Sequence, residues 1–164
     1  MNIAVIGIGQ SLRGDDGIGP EAVRRWSSAF PQTAEDPRIQ IHLLETPGLG
    51  LLHYLEAVDC AVLVDAVSTG GNPGTIRIFN PIPDSRLSAS EKTAHGFGVA
   101  ETLSIARRTG TRLPDCLILI GIEGRQFELG SGLSQPVHAA ASAAAEKIEE
   151  LVKGILSAKS AKIT

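Results

Sequence analysis

Residues 2–8, NIAVIGI, form a short apolar run, rich in β-branched side chains, that ends in Gly7 and Gly9. That is the pattern of a short strand buried on both faces. From about Gly17 the period changes: Ile18, Ala22, Val23, Trp26 and Phe30 recur at helical spacing, and Pro20 falls in a first turn, where a missing N–H costs nothing. Residues 38–44, RIQIHLL, alternate and then turn wholly apolar, as a second strand would, and 47–57 carry Leu49, Leu51, Leu52 and Leu55 into a short helix. A third buried strand runs from Cys60 to Val64 and ends at Asp65. The Ser, Thr, Gly, Asn and Pro of 68–74 then make a loop.

Residues 75–80, TIRIFN, alternate cleanly. The short Gly-Pro connection before them predicts a hairpin-like antiparallel neighbour of the third strand, lying at the edge of the sheet. The stretch 81–93 is polar, irregular and longer than a usual connection, which marks it as a candidate functional loop. Helix resumes after His95 with Val99, Leu103 and Ile105 on its apolar side, 117–122 is a fifth strand, and 134–157 a long helix whose alanines at 139–145 offer a face for close packing.

Strands and helices in this order predict an α/β fold: a three-layer sandwich with a five-stranded, mostly parallel twisted sheet, one antiparallel edge strand and helices on both faces. The expected organisation is a single domain over 1–157, followed by a frayed tail at 158–164. In such sheets a ligand sits beyond the carboxyl ends of the strands, where successive helices take opposite faces. The loops after the first and third strands are therefore where chemistry is expected.

Charge narrows the options. With 18 acidic and 15 basic residues the formal charge is −3, so there is no positive field to draw in a nucleic-acid backbone. No apolar stretch approaches membrane-spanning length, and the N-terminal run lacks the three regions of a secretory signal. The expectation is a cytoplasmic, monomeric protein with no nucleic-acid or membrane partner. Cys60 and Cys116 each head an apolar run and read as small core residues; they could lie in neighbouring strands, and no disulfide is expected.

The first loop, GIGQSLRGDDGIG over 7–19, begins like a dinucleotide fingerprint. The match fails at Leu12, where a third glycine belongs, and at Asp15 and Asp16, which would repel a pyrophosphate and attract a cation. Asp16 has a second reading as a helix cap. Asp65 has one as a turn-forming residue, and His95 one as a solvated histidine. If the first and third strands are neighbours, about 4.8 Å apart, Asp16 and Asp65 could share one ion. With His95 they would form an oxygen-rich set suited to nickel, zinc or iron, with positions left for water or substrate. His53 and Glu56, three apart on a helix, read as a surface pair, and His42 and His138 as structural. No motif of a serine, cysteine or zincin protease is present.

Four segments, GIGQSLRGDDGIG, VLVDAV, TAHGFGVAETL and GLSQPV, resemble the hydrogenase maturation endopeptidase family in identity and order. The resemblance implies an aspartic-type endopeptidase that removes the C-terminal extension of a nickel-containing hydrogenase large-subunit precursor. It also implies that Asp16, Asp65 and His95 are both the metal ligands and the catalytic residues, with the nickel supplied by the precursor. Two departures stand out: Gln10 where the family usually has asparagine, and Gly124 where it often has proline. They bear on precursor specificity more than on the reaction. The competing reading is a non-catalytic α/β module for a nucleotide or metal, resembling a nickel chaperone, with Glu45 at the end of the second strand as a ribose-binding acid.

Overall fold

The structure is a computed structural model and describes residues 1–80 and 98–160, with side chains to 158. Five strands, β1 (Ile3–Ile8), β2 (Ile39–Leu44), β3 (Cys60–Val67), β4 (Ile76–Phe79) and β5 (Cys116–Glu123), form one sheet in the order β2-β1-β3-β5-β4. The pairs β1–β2, β1–β3 and β3–β5 are parallel, and only the edge strand β4 is antiparallel. The predicted fold class is the observed one.

Helix α1 (Ile18–Ala29) follows β1 after a 3-10 turn at Gly14–Gly17, and the short α2 (Pro31–Ala34) leads to β2. Helix α3 (Leu51–Glu56) connects β2 to β3, α4 (Val99–Thr109) precedes β5, and α5 (Gln135–Ser160) closes the described chain, running to Ser160 rather than to 157. Among the described residues no helix is long and apolar enough to cross a membrane.

Two cores flank the sheet. On one face Val5, Val62, Val64, Ile120 and Ile122 meet Ile18, Val23 and Trp26 of α1 and the small residues Ala141, Ala144 and Ala145 of α5. These alanines let α5 lie close to the layer that α1 shares. On the other face Ile6, Ile8 and Leu63 meet Leu51 and Leu55 of α3 and Val99 and Leu103 of α4. The helices after β1 and β2 thus lie on opposite faces, and the switch point falls between β1 and β3.

Two expectations need correction. The edge strand β4 is not a hairpin neighbour of β3: it pairs with β5, Ile78 opposite Ile120. The reason is that β3, buried along all eight residues, already has β1 on one side and β5 on the other, so it has no edge to offer. The third strand also continues past Asp65 to Val67, because Asp65, Ala66 and Val67 still pair with Gly121, Ile122 and Glu123 after β1 has left the ladder at Gly7↔Val64. Cys60 and Cys116 are register partners on neighbouring strands, and no disulfide joins them.

Candidate active site

The crevice at the switch point is built by close backbone approach. Gly7 and Gly9 end β1 against the first turn of α1. A Cβ on Gly7 would lie 2.8 Å from the Gly19 carbonyl oxygen, and one on Gly9, whose φ is +137°, would lie 1.9 Å from the Asp16 carbonyl oxygen. Gly19 in turn rests on β1 and β3, with the carbonyl oxygens of Ile8 and Val64 inside 2.6 Å of where its Cβ would be (2.3 and 2.5 Å). These glycines are used to seat the chain's own helix. The space that a dinucleotide motif would keep open for a pyrophosphate is filled by the backbone at Asp16, and Glu45 is exposed rather than aimed into a pocket.

Asp16 sits in the 3-10 turn with no exposed surface. Its Oδ2 accepts the backbone N–H of Gln10, and the N-cap position of α1 is taken by Gly17. Because Gln10 contributes this bond through its backbone, its departure from asparagine leaves the bond intact.

Asp65 lies within the β3–β5 ladder, so it is not a turn residue. Alternation along β3 sends Val64 and Ala66 to the α1–α5 face and Leu63 to the α3–α4 face, and Asp65 with it. Its side chain is 2% exposed, and Oδ1 has no hydrogen-bond partner among the described residues. Burial, and after it the negative charge of Asp16, push the Asp65 carboxyl well above the usual carboxylate range, against a smaller pull from the Ala66 N–H. The structure therefore brings Asp16 and Asp65 to one crevice as an interacting pair. His95, the third predicted member, and the candidate loop at 81–93 lie outside the described residues. Among the described residues no group of three His, Cys, Asp or Glu side chains forms a metal cluster.

Of the remaining histidines, His42 is half-buried, and His138, expected to be structural, is exposed. His53 and Glu56 are exposed on α3. His42 packs its ring 4.7 Å from Tyr54, and His138 Nε2 lies 3.0 Å from an Arg25 guanidinium nitrogen.

Sequence reasoning missed what Asp15 does. Its carboxylate, with no exposed surface, accepts the N–H groups of Arg125, Gln126 and Ser134 at 2.8, 3.0 and 2.6 Å and the Ser134 hydroxyl at 2.9 Å. Burial alone would raise this carboxyl, but the bonds from Arg125, Gln126 and Ser134 outweigh it and hold it below the usual range. Asp15 thereby ties the loop after β5 to the loop after β1 and fixes the position of its neighbour Asp16. The signal in sequence was only the GLSQPV segment, whose serine is the partner. A second clamp went unread: Glu123, 1% exposed, accepts the Thr69 N–H and hydroxyl and the Gly71 N–H, pinning the loop after β3. Gly124, the other departure, donates its N–H to the Val67 carbonyl at 2.9 Å, a bond that proline could not make.

Comparison with known proteins matches the family described as hydrogenase maturation protease over residues 31–151. The chain belongs to the hydrogenase maturation protease family. That match contains Asp65 and His95 and begins after Asp16, whereas individual members cover more of the chain. The hydrogenase expression/formation protein HoxM of Azotobacter vinelandii is 31% identical over 144 residues, 84% of this chain and 66% of HoxM. The chain thus spans just under two thirds of that relative's length. Among solved members of the family, the hydrogenase maturating endopeptidase HybD of E. coli is 27% identical, with a TM-score of 0.73 over 94% of this chain and 93% of its own. The [NiFe] hydrogenase maturation protease HycI of Thermococcus kodakarensis is 29% identical, with a TM-score of 0.70 over 93% and 92% of the two chains.

Proposed function

We propose that this chain is the endopeptidase its family name describes, removing the C-terminal extension of a nickel-containing hydrogenase large-subunit precursor in the cytoplasm. Asp16, Asp65 and His95 would recognise the nickel that the precursor carries, so the metal belongs to the substrate.

One observation carries this reading. A fully buried carboxylate pair at the sheet's switch point leaves the Asp65 Oδ1 without a partner. A buried acceptor left unsatisfied costs about 1–3 kcal/mol, and a cation shared with Asp16 would remove that cost. The donor set fits: carboxylate oxygens with an imidazole suit a borderline divalent metal. His95 stands four residues before Val99, which opens α4 on the face toward which Asp65 points. A divalent metal there can polarise a scissile carbonyl or lower the pKa of a bound water. The chain's own part is to hold Asp16 in place, through Gln10 and through its neighbour Asp15, and to keep Asp65 ready to exchange its proton for the metal.

The test is incubation with a nickel-loaded large-subunit precursor followed by intact-mass measurement. Loss of the C-terminal extension is expected with the wild-type chain, and no loss with Asp16→Ala, Asp65→Ala or His95→Ala, each still folded by circular dichroism. Full processing by any one variant removes that residue from the mechanism. Binding of nickel with no cleavage of any precursor would instead favour a nickel carrier.

A further inference from the structure

Leu12 and Leu129 are 72% and 76% exposed, whereas every other large hydrophobic side chain among the described residues is at most 50% exposed. Single exposed leucines are ordinary. These two are neither scattered nor on slack chain ends. The Gly130 N–H donates to the Leu12 carbonyl at 2.7 Å, joining the loop after β1 to the loop after β5. The Gly14 N–H to the Ser131 carbonyl and the Asp15 N–H to the Gln126 carbonyl, at 3.0 and 2.7 Å, brace the same two loops beside the buried Asp15 carboxylate. The fold therefore uses a buried, fully bonded charge to hold two leucines out in water. They stand at the lip of the crevice: Leu12 is four residues before Asp16, whose N–H donates to the Arg13 carbonyl at 3.2 Å.

We propose that Leu12 and Leu129 form the docking lip for the protein substrate, covered by apolar side chains of the precursor segment that adjoins the scissile bond. The inference rests on the peptidase reading above and deepens it. The bond from the Gln10 N–H to the Asp16 carboxylate closes the turn that carries Leu12 on the proposed ligand, so a peptide bond brought to Asp16 is presented beside that turn. The exposed Arg13 and Glu128, each next to one of the leucines, supply the polar border that surrounds an apolar hot spot. Because the loops are braced before binding, little ordering cost falls on the enzyme's side.

The test is steady-state processing of a nickel-loaded large-subunit precursor that the wild-type chain cleaves, followed by intact mass. Leu12→Ser and Leu129→Ser are expected to raise KM about tenfold each, with kcat unchanged and a melting temperature within about 2 °C of wild type. The control Ile78→Thr, at a residue 46% exposed on the edge strand β4, is expected to leave KM unchanged. An unchanged KM in the double variant overturns the proposal. So does a wild-type dimer, seen by sedimentation, that the double variant dissociates without a change in KM, since the leucines would then meet a second copy. If the double variant melts early, Leu129→Ser alone decides by the same criterion. Failure of the wild type to cleave any precursor is a different result, and it overturns the peptidase reading together with the lip.

Discussion

At the scale of single residues, the buried aspartates Asp15 and Asp65 have opposite chemistry because their surroundings differ. Four donors hold the Asp15 carboxyl below the usual range, whereas burial, and after it the charge of Asp16, push the Asp65 carboxyl, with its unpartnered oxygen, well above it. The second condition has a signed consequence. Below the unfolded carboxylate pKa of about 3.9 both states of the chain carry the Asp65 proton, and nothing is lost. As pH rises toward the folded value, the unfolded chain ionises while the folded one keeps its proton, so stability falls with rising pH. Asp65→Asn removes that penalty, and the metal-free variant is expected to be more stable than wild type at neutral pH, with the gain vanishing as pH falls to the unfolded carboxylate value. Melts of the two proteins across that range check this; curves that coincide throughout contradict a raised Asp65. For Asp15 the sign is reversed: its stabilisation is present above the unfolded pKa and is lost as pH falls through the folded one. Asp15→Ala strands four donors and is expected to cost about 3 kcal/mol in denaturant melts. It should also weaken processing, although Asp15 touches no metal. Asp16 and Asp65 could be picked from sequence because one belongs to an acidic pair in a glycine-rich loop and the other is a lone carboxylate in an apolar run. Asp15 could not, because its donors lie more than a hundred residues away (110, 111 and 119) and nothing local points to them.

At the scale of elements, hydrophobic period was enough to place the strands and helices but not to pair them. The run at Cys60–Val67 shows why: its composition announces a central strand, but only the competition for its two edges decides that β5, rather than the adjacent β4, lies beside it. The loop between β3 and β4 therefore crosses the end of β5, and Glu123, the last residue of β5, receives it. The Gly74 N–H adds a bond to the Glu123 carbonyl at 2.7 Å, and the Glu123 N–H returns one to the Thr75 carbonyl at 2.9 Å. A strand end that is bonded through both its backbone and its carboxylate acts as the anchor of that loop. Glu123→Ala leaves the Thr69 and Gly71 amides without their acceptor and is expected to cost about 2–4 kcal/mol. Native-state hydrogen exchange should show those two amides losing protection before the β3–β5 ladder does; unchanged protection at Thr69 would mean the carboxylate is not what holds the loop.

At the scale of the whole molecule, the site and the larger core share one helix. The first turn of α1 is pressed onto β1 and β3 through Gly19, directly after Asp16, and farther along the same helix Trp26 is fully buried and donates its indole N–H to Glu149 of α5 at 2.8 Å. Glu149 also accepts from Thr33 and pairs with Lys153 at 2.7 and 2.9 Å, so α1, α2 and α5 meet at one carboxylate on the far side of the core from the crevice. A helix that is seated at one end by backbone contact and locked at the other by this carboxylate cannot release the Asp16 turn while the rest of the domain stays intact. Unfolding should accordingly be a single transition: thermal melts followed by Trp26 fluorescence and by far-ultraviolet circular dichroism are expected to coincide. Trp26→Phe, which removes one of Glu149's donors and some core volume, is expected to lower stability by about 1–3 kcal/mol in melts followed by far-ultraviolet circular dichroism. Processing well below the melting temperature should be unaffected, because the Asp16 turn is held by Gly9, Gly19 and Asp15 rather than by the indole. A fluorescence transition that precedes the loss of helix would show the α1–α5 lock opening by itself, and the site would then rest on β1 and β3 without it.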